Sequence, residues 1–417
     1  MSLKQHLYPY YFRYYILGKI ARSQYQRIKN IRGEGVAKVV FIVSSLSMWR
    51  SQKLYEMMAA DSRFLPNIVI YPFPGFVDSE KEKSVQSLTD YFITIDVPFI
   101  DLSKEKSPGL FIKNHLDPDI IFYPQPYNWL YKCDLDNVFF EDRLLAYVPY
   151  STNTIDEAWI WNQRFCNVAW RLYYSTEEDK ANAERISLNK GRNVKVAGNA
   201  AADTFLSGEY KSPWKDTGSR KKRIIWAPHY SITNGGPLYR SSFLSLNSVM
   251  SEIADRYQSE LQFAFKPHPR LATELYKHPE WGKERTDAYY SRWATGPNTQ
   301  LETGSYIDLF MTSDAMIHDS VSFTAEYHFS LKPAMFTTSD VERDKKQLNA
   351  LGRKAIDAHY LGSSSQDIIT FIENVVLVGD DPMLKKRSEF FRQYLLPPGG
   401  ASVAGTIYHD IVESIWG

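Results

Sequence analysis

The sequence predicts an α/β protein made of two doubly wound parallel-sheet domains with a cleft between them. Three observations lead to this fold class. Short apolar runs of strand length alternate with amphipathic stretches of helical length, which is typical of parallel sheets joined by helices. The pattern starts twice, near residue 38 and near residue 223, and residues 207–221 between them have the polar composition of a linker. A chain of 417 residues is also too long for one ordinary core.

Apolar runs bounded by polar or turn-forming residues mark the strands. In the first half the predicted strands are residues 38–43, 67–71, 91–95, 119–123, 144–150, 171–175 and 195–199. In the second half they are residues 223–228, 261–265, 311–317 and 332–336. Helical spacing predicts helices from about Trp49 to Met58, over residues 242–257, and from about Ser365 onward.

These elements divide the chain into five predicted segments. They are a basic, aromatic N-terminal helix (1–33), a first Rossmann-like domain (34–206), a linker (207–221), a second Rossmann-like domain (222–380) and C-terminal helices (381–417).

Composition and charge exclude several classes of protein. The net charge is +1, so the whole molecule carries no electrostatic signal for nucleic acid. Cys133 and Cys166 form neither a CxxC pair nor a zinc spacing, which favours a reduced, cytoplasmic setting. No apolar run is long enough to cross a membrane, and the N-terminus lacks the apolar core of a signal peptide.

Residues 1–33 differ from the neutral remainder of the chain. They hold seven lysines and arginines interleaved with tyrosines, and no aspartate or glutamate. This composition suits a helix lying on an anionic membrane surface, peripheral to the inner face of the cell membrane. It equally suits a helix packed on the body of the protein with solvated charges, because its apolar stripe is not clean.

Polar side chains follow three predicted strands of the second half. His229 follows strand 223–228, and Lys266 and His268 follow strand 261–265. After strand 311–317 come three polar residues and then a glutamate in the predicted helix, namely Asp319, Ser320, Ser322 and Glu326. Because the carboxyl ends of parallel strands meet at one edge of a sheet, where such folds bind ligands, these groups predict a binding site.

Imidazole and hydroxyl donors beside a helix N-terminus suit a phosphate group. Pro267 and Pro269 flank His268 and fix its backbone, so the direction of the ring is preset. The alternatives are a turn histidine at 229 or 268, an N-cap at Ser320, and a Glu326 that only complements a helix dipole. The acidic pairs Asp117/Asp119 and Asp134/Asp136 read as surface residues, so no metal or other cofactor is expected.

The second-half motifs resemble those of the CDP-glycerol glycerophosphotransferase family of teichoic-acid and capsule synthesis. The residues that carry the resemblance are Ala227-Pro228, Phe265-Lys266-Pro267-His268-Pro269, Asp319-Ser320-Val321-Ser322-Phe323, Glu326-Tyr327 and Lys332-Pro333. The family implies the GT-B fold, with an N-terminal acceptor domain and a C-terminal nucleotide-donor domain. By position, His268, Ser320 and Ser322 would hold the donor pyrophosphate, and Glu326 would face the ribose or the transferred group.

The chain departs from this family on the acceptor side, where the family's Trp-His-Gly motif is absent. Pro149-Tyr150-Ser151-Thr152-Asn153-Thr154 occupies the comparable place, so Asp156, Glu157 and His229 are the candidate bases. The His-Pro pair and paired serines are also similar to those of bacterial CMP-sugar transferases for sialic acid and Kdo.

The resemblance therefore implies a cytidine-activated donor and a lipid-linked or growing glycan acceptor. Transfer of glycerol phosphate or another polyol phosphate comes first, and transfer of a sugar second. A non-catalytic glycan-binding protein of the same fold is the third interpretation.

Overall fold

A computed structural model of the protein describes residues 11–73, 77–127, 134–156, 158–232, 241–400 and 402–417, without the side chains of Asn137 and Ser322. The chain forms two compact units. The first holds Met1–Ser151, Glu157–Asp203 and Leu396–Gly417, and the second holds Thr152–Asp156 and Thr204–Leu395. The C-terminal residues therefore belong to the first unit.

The first unit contains a parallel sheet of seven strands in the order β3-β2-β1-β4-β5-β6-β7. Its strands are β1 (Ala37–Val43), β2 (Phe64–Ile70), β3 (Phe99–Asp101), β4 (Ile120–Tyr123), β5 (Leu144–Tyr147), β6 (Arg171–Tyr174) and β7 (Val194–Val196). Its α-helices are α1 (Leu17–Glu34), α2 (Gln52–Ala59), α3 (Asp78–Thr94), α4 (Pro108–Phe111), α5 (Ala158–Trp161), α6 (Arg164–Val168), α7 (Glu177–Ile186) and, near the C-terminus, Val403–Trp416. A π-helical turn, Phe12–Ile16, leads into α1.

The second unit contains a parallel sheet of six strands in the order β10-β9-β8-β11-β12-β13. Its strands are β8 (Lys222–Ala227), β9 (Leu261–Phe265), β10 (Thr299–Leu301), β11 (Ala315–His318), β12 (Ala334–Thr337) and β13 (Tyr360–Gly362). After α8 (Ala202–Phe205), its α-helices are α9 (Phe243–Arg256), α10 (Leu271–Lys277), α11 (Gly282–Thr295), α12 (Ile307–Thr312), α13 (Val321–Glu326), α14 (Val341–Lys345), α15 (Ala350–Ile356), α16 (Ser365–Thr370) and α17 (Leu384–Phe390).

Both sheets have the strand order of a Rossmann fold, which confirms the predicted fold class. In each sheet the direction of winding reverses between the first and the fourth strand of the unit. This switch point lies between β1 and β4 in the first unit and between β8 and β11 in the second.

The prediction of a strand at 91–95 is wrong. These residues, up to Thr94, form the last turns of α3, in which Leu88 and Phe92 are buried four residues apart on one face. The apolar pair Phe92-Ile93 has the composition of a strand. The segment is helical because the side chains that it buries are spaced four residues apart, as on one face of a helix. The predicted strand 311–317 is also too long, because α12 continues to Thr312 and β11 begins only at Ala315.

An aromatic core fixes the two strands that carry the histidines of the second unit. Trp226 of β8 stacks on Phe265 of β9 with ring centroids 5.0 Å apart, and on Phe243 of α9 at 5.7 Å. Trp293 of α11 packs against the same indole at 5.3 Å. Since all four side chains are buried, the carboxyl ends of β8 and β9 are held at a fixed spacing.

The segment Thr152–Asp156 contains the candidate base Asp156 and directly precedes Glu157. Hydrogen bonds hold this segment to the rest of the second unit. Ile155 forms an antiparallel bridge with Leu348, and the Asn349 backbone N–H donates to the Thr154 carbonyl at 3.1 Å. The Thr154 hydroxyl donates to the Val321 carbonyl at 3.2 Å.

Among the described residues, no helix has the length and apolar character needed to cross a membrane.

Replacing Gly352 by Ala should destabilise the protein. A Cβ at this position would lie 2.4 Å from the Thr154 carbonyl oxygen, so the segment or α15 must shift. We expect a loss of about 1–3 kcal/mol in the free energy of unfolding, measured by urea denaturation. Helix propensity alone would favour Ala by about 1 kcal/mol, so unchanged or increased stability would contradict the packing. Gly18→Ala is the matched control, because nothing lies within 4 Å of its added Cβ.

Candidate functional site

Three adjacent strands of the second sheet carry polar groups at their carboxyl ends. His229 follows β8, Lys266 and His268 follow β9, and Asp319 with Ser320 follows β11. Since β8 is paired with both β9 and β11, these residues lie along one edge of the sheet at its switch point. This is the position at which doubly wound sheets bind ligands.

Asp319 is the most fully hydrogen-bonded of these residues. Its carboxylate accepts the His229 backbone N–H at 2.5 Å, the Ser241 hydroxyl at 2.7 Å, and both the backbone N–H and the hydroxyl of Ser242 at 2.6 and 2.8 Å. Burial raises the pKa of Asp319, and these hydrogen bonds oppose that rise. The carboxylate thus joins the end of β11 to the turn after β8 and to the start of α9.

His229 and His268 form a pair of imidazoles with the same local geometry. In each ring Nδ1 accepts the backbone N–H two residues later, from Ser231 at 3.4 Å and from Arg270 at 3.1 Å. Nδ1 of His229 also lies 2.9 Å from the Ser231 hydroxyl, which donates to it when Nδ1 is unprotonated. The ring centroids are 5.0 Å apart, and the His268 backbone N–H donates to the Pro228 carbonyl at 3.0 Å. Because Nδ1 is the acceptor in each neutral ring, the proton of each ring is assigned to Nε2.

Burial keeps both rings neutral. Desolvation, with a smaller contribution from Arg270, lowers the pKa of His229 to about 4. Desolvation also lowers the pKa of His268 to about 3, and His229 and Arg270 add to this shift. The pair therefore presents two neutral N–H donors at pH 7, an arrangement that can hold a phosphate oxygen or stabilise a leaving phosphate.

Sequence reasoning missed the residues that complete this edge. The guanidinium of Arg270 lies 4.2 Å from the centroid of the Tyr230 ring, and Tyr230 lies 4.5 Å from the His268 ring. Tyr230 directly follows His229, and Arg270 follows His268 by two positions. This closeness in sequence to a predicted site residue is the only indication of their role that the sequence gives. Ser241 and Ser242 give no such signal, because the fold brings them to Asp319 from a distant segment.

Lys266 and Ser320 are both buried but differ in their hydrogen bonding. The Lys266 ammonium donates to the Gly304 carbonyl at 2.8 Å, and desolvation lowers its pKa to about 8. Ser320 is the N-cap of α13 and makes no capping hydrogen bond with its side chain. The backbone of Ser322 lies in α13, and its side chain falls outside what the structure describes.

Glu326 is the last residue of α13 and is buried. Its Oε2 accepts the Tyr306 hydroxyl at 2.5 Å, and its Oε1 accepts the Thr152 backbone N–H at 3.1 Å. The carboxylate therefore also holds the segment 152–156. Asp156 is exposed, and its backbone N–H donates to the Gln347 carbonyl at 3.1 Å. Glu157 lies outside the described residues.

The structure thus brings His229, His268 and Asp319 into one group, in which Asp319 accepts the His229 backbone N–H and the two imidazole rings meet edge to face. In the described part of the chain, no hydrogen bond or ion pair joins Asp156 to that group.

Two Rossmann-like units of this topology define the GT-B fold. No protein-family model matches the sequence, and neither does any curated protein. Solved structures of the same fold do match. The S. aureus MnaA–UDP complex is 15% identical, with a TM-score of 0.59, over 91% of this chain and 97% of that one. The Neisseria meningitidis UDP-GlcNAc 2-epimerase bound to UDP-GlcNAc is 15% identical, with a TM-score of 0.57, over 90% and 99%.

The wall teichoic acid polymerase TagF is also similar, with 12% identity and a TM-score of 0.59 over 96% of this chain and 95% of that one. At such identities the likeness establishes the fold, and it leaves the reaction to be argued from the site.

The neutral histidine pair should make stability depend on pH. In the unfolded chain both rings take up protons near pH 6.5, whereas in the folded protein they do so only near pH 3–4. The unfolded state thus binds more protons below pH 6.5, so stability should fall as the pH drops from about 6.5 to 4. Each histidine contributes up to about 1.4 kcal/mol per pH unit.

The double variant His229→Gln/His268→Gln should show a shallower decline in urea denaturation at pH 7, 6 and 5. His278→Gln is the control, because His278 makes the same Nδ1 contact, with the Glu280 N–H, away from this edge. A decline as steep in the double variant as in the wild type would contradict the assignment.

Proposed function

We propose that this chain is a GT-B transferase that moves glycerol phosphate, or another polyol phosphate, from a CDP-activated donor to a glycan acceptor. The setting would be synthesis of a bacterial surface polysaccharide such as teichoic acid, capsule or O-antigen, at the inner face of the membrane. The observation that carries the proposal is the adjacent position of the His229 and His268 rings at the switch point, each with Nδ1 hydrogen-bonded to the backbone N–H two residues later.

In this proposal the acceptor hydroxyl attacks the donor phosphorus, the bond to the CMP leaving group breaks, and the acceptor proton passes to a base. His229 and His268 donate hydrogen bonds to the donor phosphates and stabilise the charge on the leaving group. Because Nδ1 of His229 already contacts Ser231, through its hydroxyl at 2.9 Å and its N–H at 3.4 Å, we assign His229 the role of an Nε2–H donor. The role of base then falls to Asp156 or Glu157.

Ser320 and Ser322 would add hydroxyls to the same phosphates, and Arg270 a positive charge. Lys266, Asp319 and Glu326 would act by positioning, since each already holds a neighbouring loop.

The sequence motifs favour a cytidine donor, and a TagF structure soaked with CDPG shares the fold. The alternative is a sugar transferase with a nucleotide-sugar donor, which the resemblance to CMP-sugar transferases favours. UDP-GlcNAc is included as a test substrate because the epimerase of similar fold binds it.

Thermal shift should detect the nucleotide site. CMP or CDP should raise the melting temperature of the wild type, and UMP, UDP and GDP should raise it less; saturation at 100 times the Kd stabilises by about 2.7 kcal/mol. His268→Ala should abolish the shift, and His278→Ala should keep it. If no nucleotide shifts the wild type, the non-catalytic glycan-binding interpretation gains.

A donor screen should separate the reactions. We expect turnover with CDP-glycerol and none with CMP-Kdo, CMP-sialic acid or UDP-GlcNAc. His268→Ala should lower kcat about 100-fold or more, the loss typical of removing one donor to a developing charge. Turnover with a CMP-sugar would establish the sugar-transferase alternative, and epimerisation of UDP-GlcNAc would refute transfer altogether.

A further inference from the structure

A large cavity in the first unit lies away from its switch point. It has a volume of about 540 Å³ and is bounded on one side by the π-helical turn and α1 and on the other by residues 167–171 and 188–193. Trp170 and Asn193 directly precede β6 and β7, so the cavity lies at the amino edge of the first sheet. The ligand edge of a doubly wound sheet is the opposite one.

The charges around this cavity have one sign. Among the described residues that line it are Arg13, Arg171, Lys190 and Arg192, and no carboxylate. Arg171 is already paired with Asp410 at 2.8 Å. In the described part of the chain, no carboxylate forms an ion pair with the other three. An anion would therefore gain three unneutralised cations.

Both walls of the cavity are fixed by hydrogen bonds. On the helix side, Arg13 Nε donates to the Leu188 carbonyl at 3.1 Å, and the Gln24 amide donates to the Val168 carbonyl at 3.0 Å. On the other side, Asn189 Nδ2 donates to Asn193 Oδ1 at 2.8 Å, and both amides are buried. These hydrogen bonds fix the backbone segments that carry Arg13, Lys190 and Arg192.

The helical wall leaves room for a ligand. Nothing lies within 4 Å of a Cβ added at Gly18, which lines the cavity. The volume falls within the range of about 300–1,000 Å³ typical of small-molecule sites. Tyr14, which lines the cavity, is 74% exposed, and Tyr25, which lies farther along α1 outside the lining, is 70% exposed. Exposed tyrosines beside cations are typical of a surface that meets lipid headgroups.

We propose that this cavity binds a phosphate ester, presented by the headgroup of an anionic membrane lipid or by a soluble phosphate. Arg13, Lys190 and Arg192 provide the charge, and the exposed tyrosines favour the lipid source. This cavity belongs to the first unit, whereas the proposed nucleotide site belongs to the second, so the two proposals are independent. The proposal also gives the membrane contact predicted for residues 1–33 a defined location, namely this cavity.

Two assays on the full chain distinguish the sources. Co-sedimentation with phosphatidylglycerol vesicles, compared with phosphatidylcholine vesicles, tests the lipid. Calorimetric titration with glycerol 3-phosphate tests the soluble ester. Gly18→Phe should fill the cavity without changing charge and weaken binding at least about tenfold in one or both assays, whereas Gly18→Ala should not.

Variants that remove the positive charges test the same binding without filling the cavity. Arg13→Gln/Lys190→Gln/Arg192→Gln should lose binding of glycerol 3-phosphate or vesicles. The matched control, Lys19→Gln/Arg22→Gln/Lys29→Gln, removes three exposed charges of α1 that do not line the cavity.

Loss with the cavity variants in the vesicle assay establishes the lipid source, and loss in the titration alone establishes the soluble source. The proposal is overturned if wild type binds neither probe. It is also overturned if the two Gly18 variants behave alike, or if the two charge variants do. The thermal shift with CDP should be unchanged in all of these variants, which separates failure here from failure of the transferase proposal.

Discussion

The buried carboxylate of Asp319 is the interaction on which the candidate site depends. It stands at the end of β11 and accepts four hydrogen bonds from the turn after β8 and from the start of α9. Burial of a carboxylate costs desolvation free energy, and the four hydrogen bonds offset this cost. Removing any donor would leave part of the charge unpaired, so the carboxylate holds the three segments together. The backbone of His229 is one of these donors, and the position of its ring follows from that bond.

The histidines gain their chemistry from desolvation. In water an imidazole is partly charged near neutral pH, but here burial keeps His229 and His268 neutral, and backbone N–H groups select the tautomer. Each ring therefore offers a proton at Nε2 without carrying a charge before ligand binds. A phosphate would raise the pKa of both rings, so they can strengthen their hydrogen bonds as negative charge develops.

Much of this arrangement could be predicted because strand ends are visible in sequence. Apolar runs that end at His229 and Asp319, together with the common edge of parallel strands, place these residues near each other. The hydrogen bond from Ser241 to Asp319 could not be predicted, because it depends on how a distant loop returns to the sheet. Strands β3, β10 and β13 were missed because three residues give too short an apolar run, and each is defined by its pairing with one neighbouring strand.

We infer that His229 and His268 are neutral Nε2–H donors that contact a nucleotide phosphate. Nitrogen-15 NMR of selectively labelled histidines, assigned with single His→Gln variants, tests it directly. At pH 7 both rings should show the Nε2–H tautomer, and addition of CDP should shift both Nε2 resonances while leaving His278 unchanged. An Nδ1–H tautomer, or no response of either ring to CDP, would contradict the account.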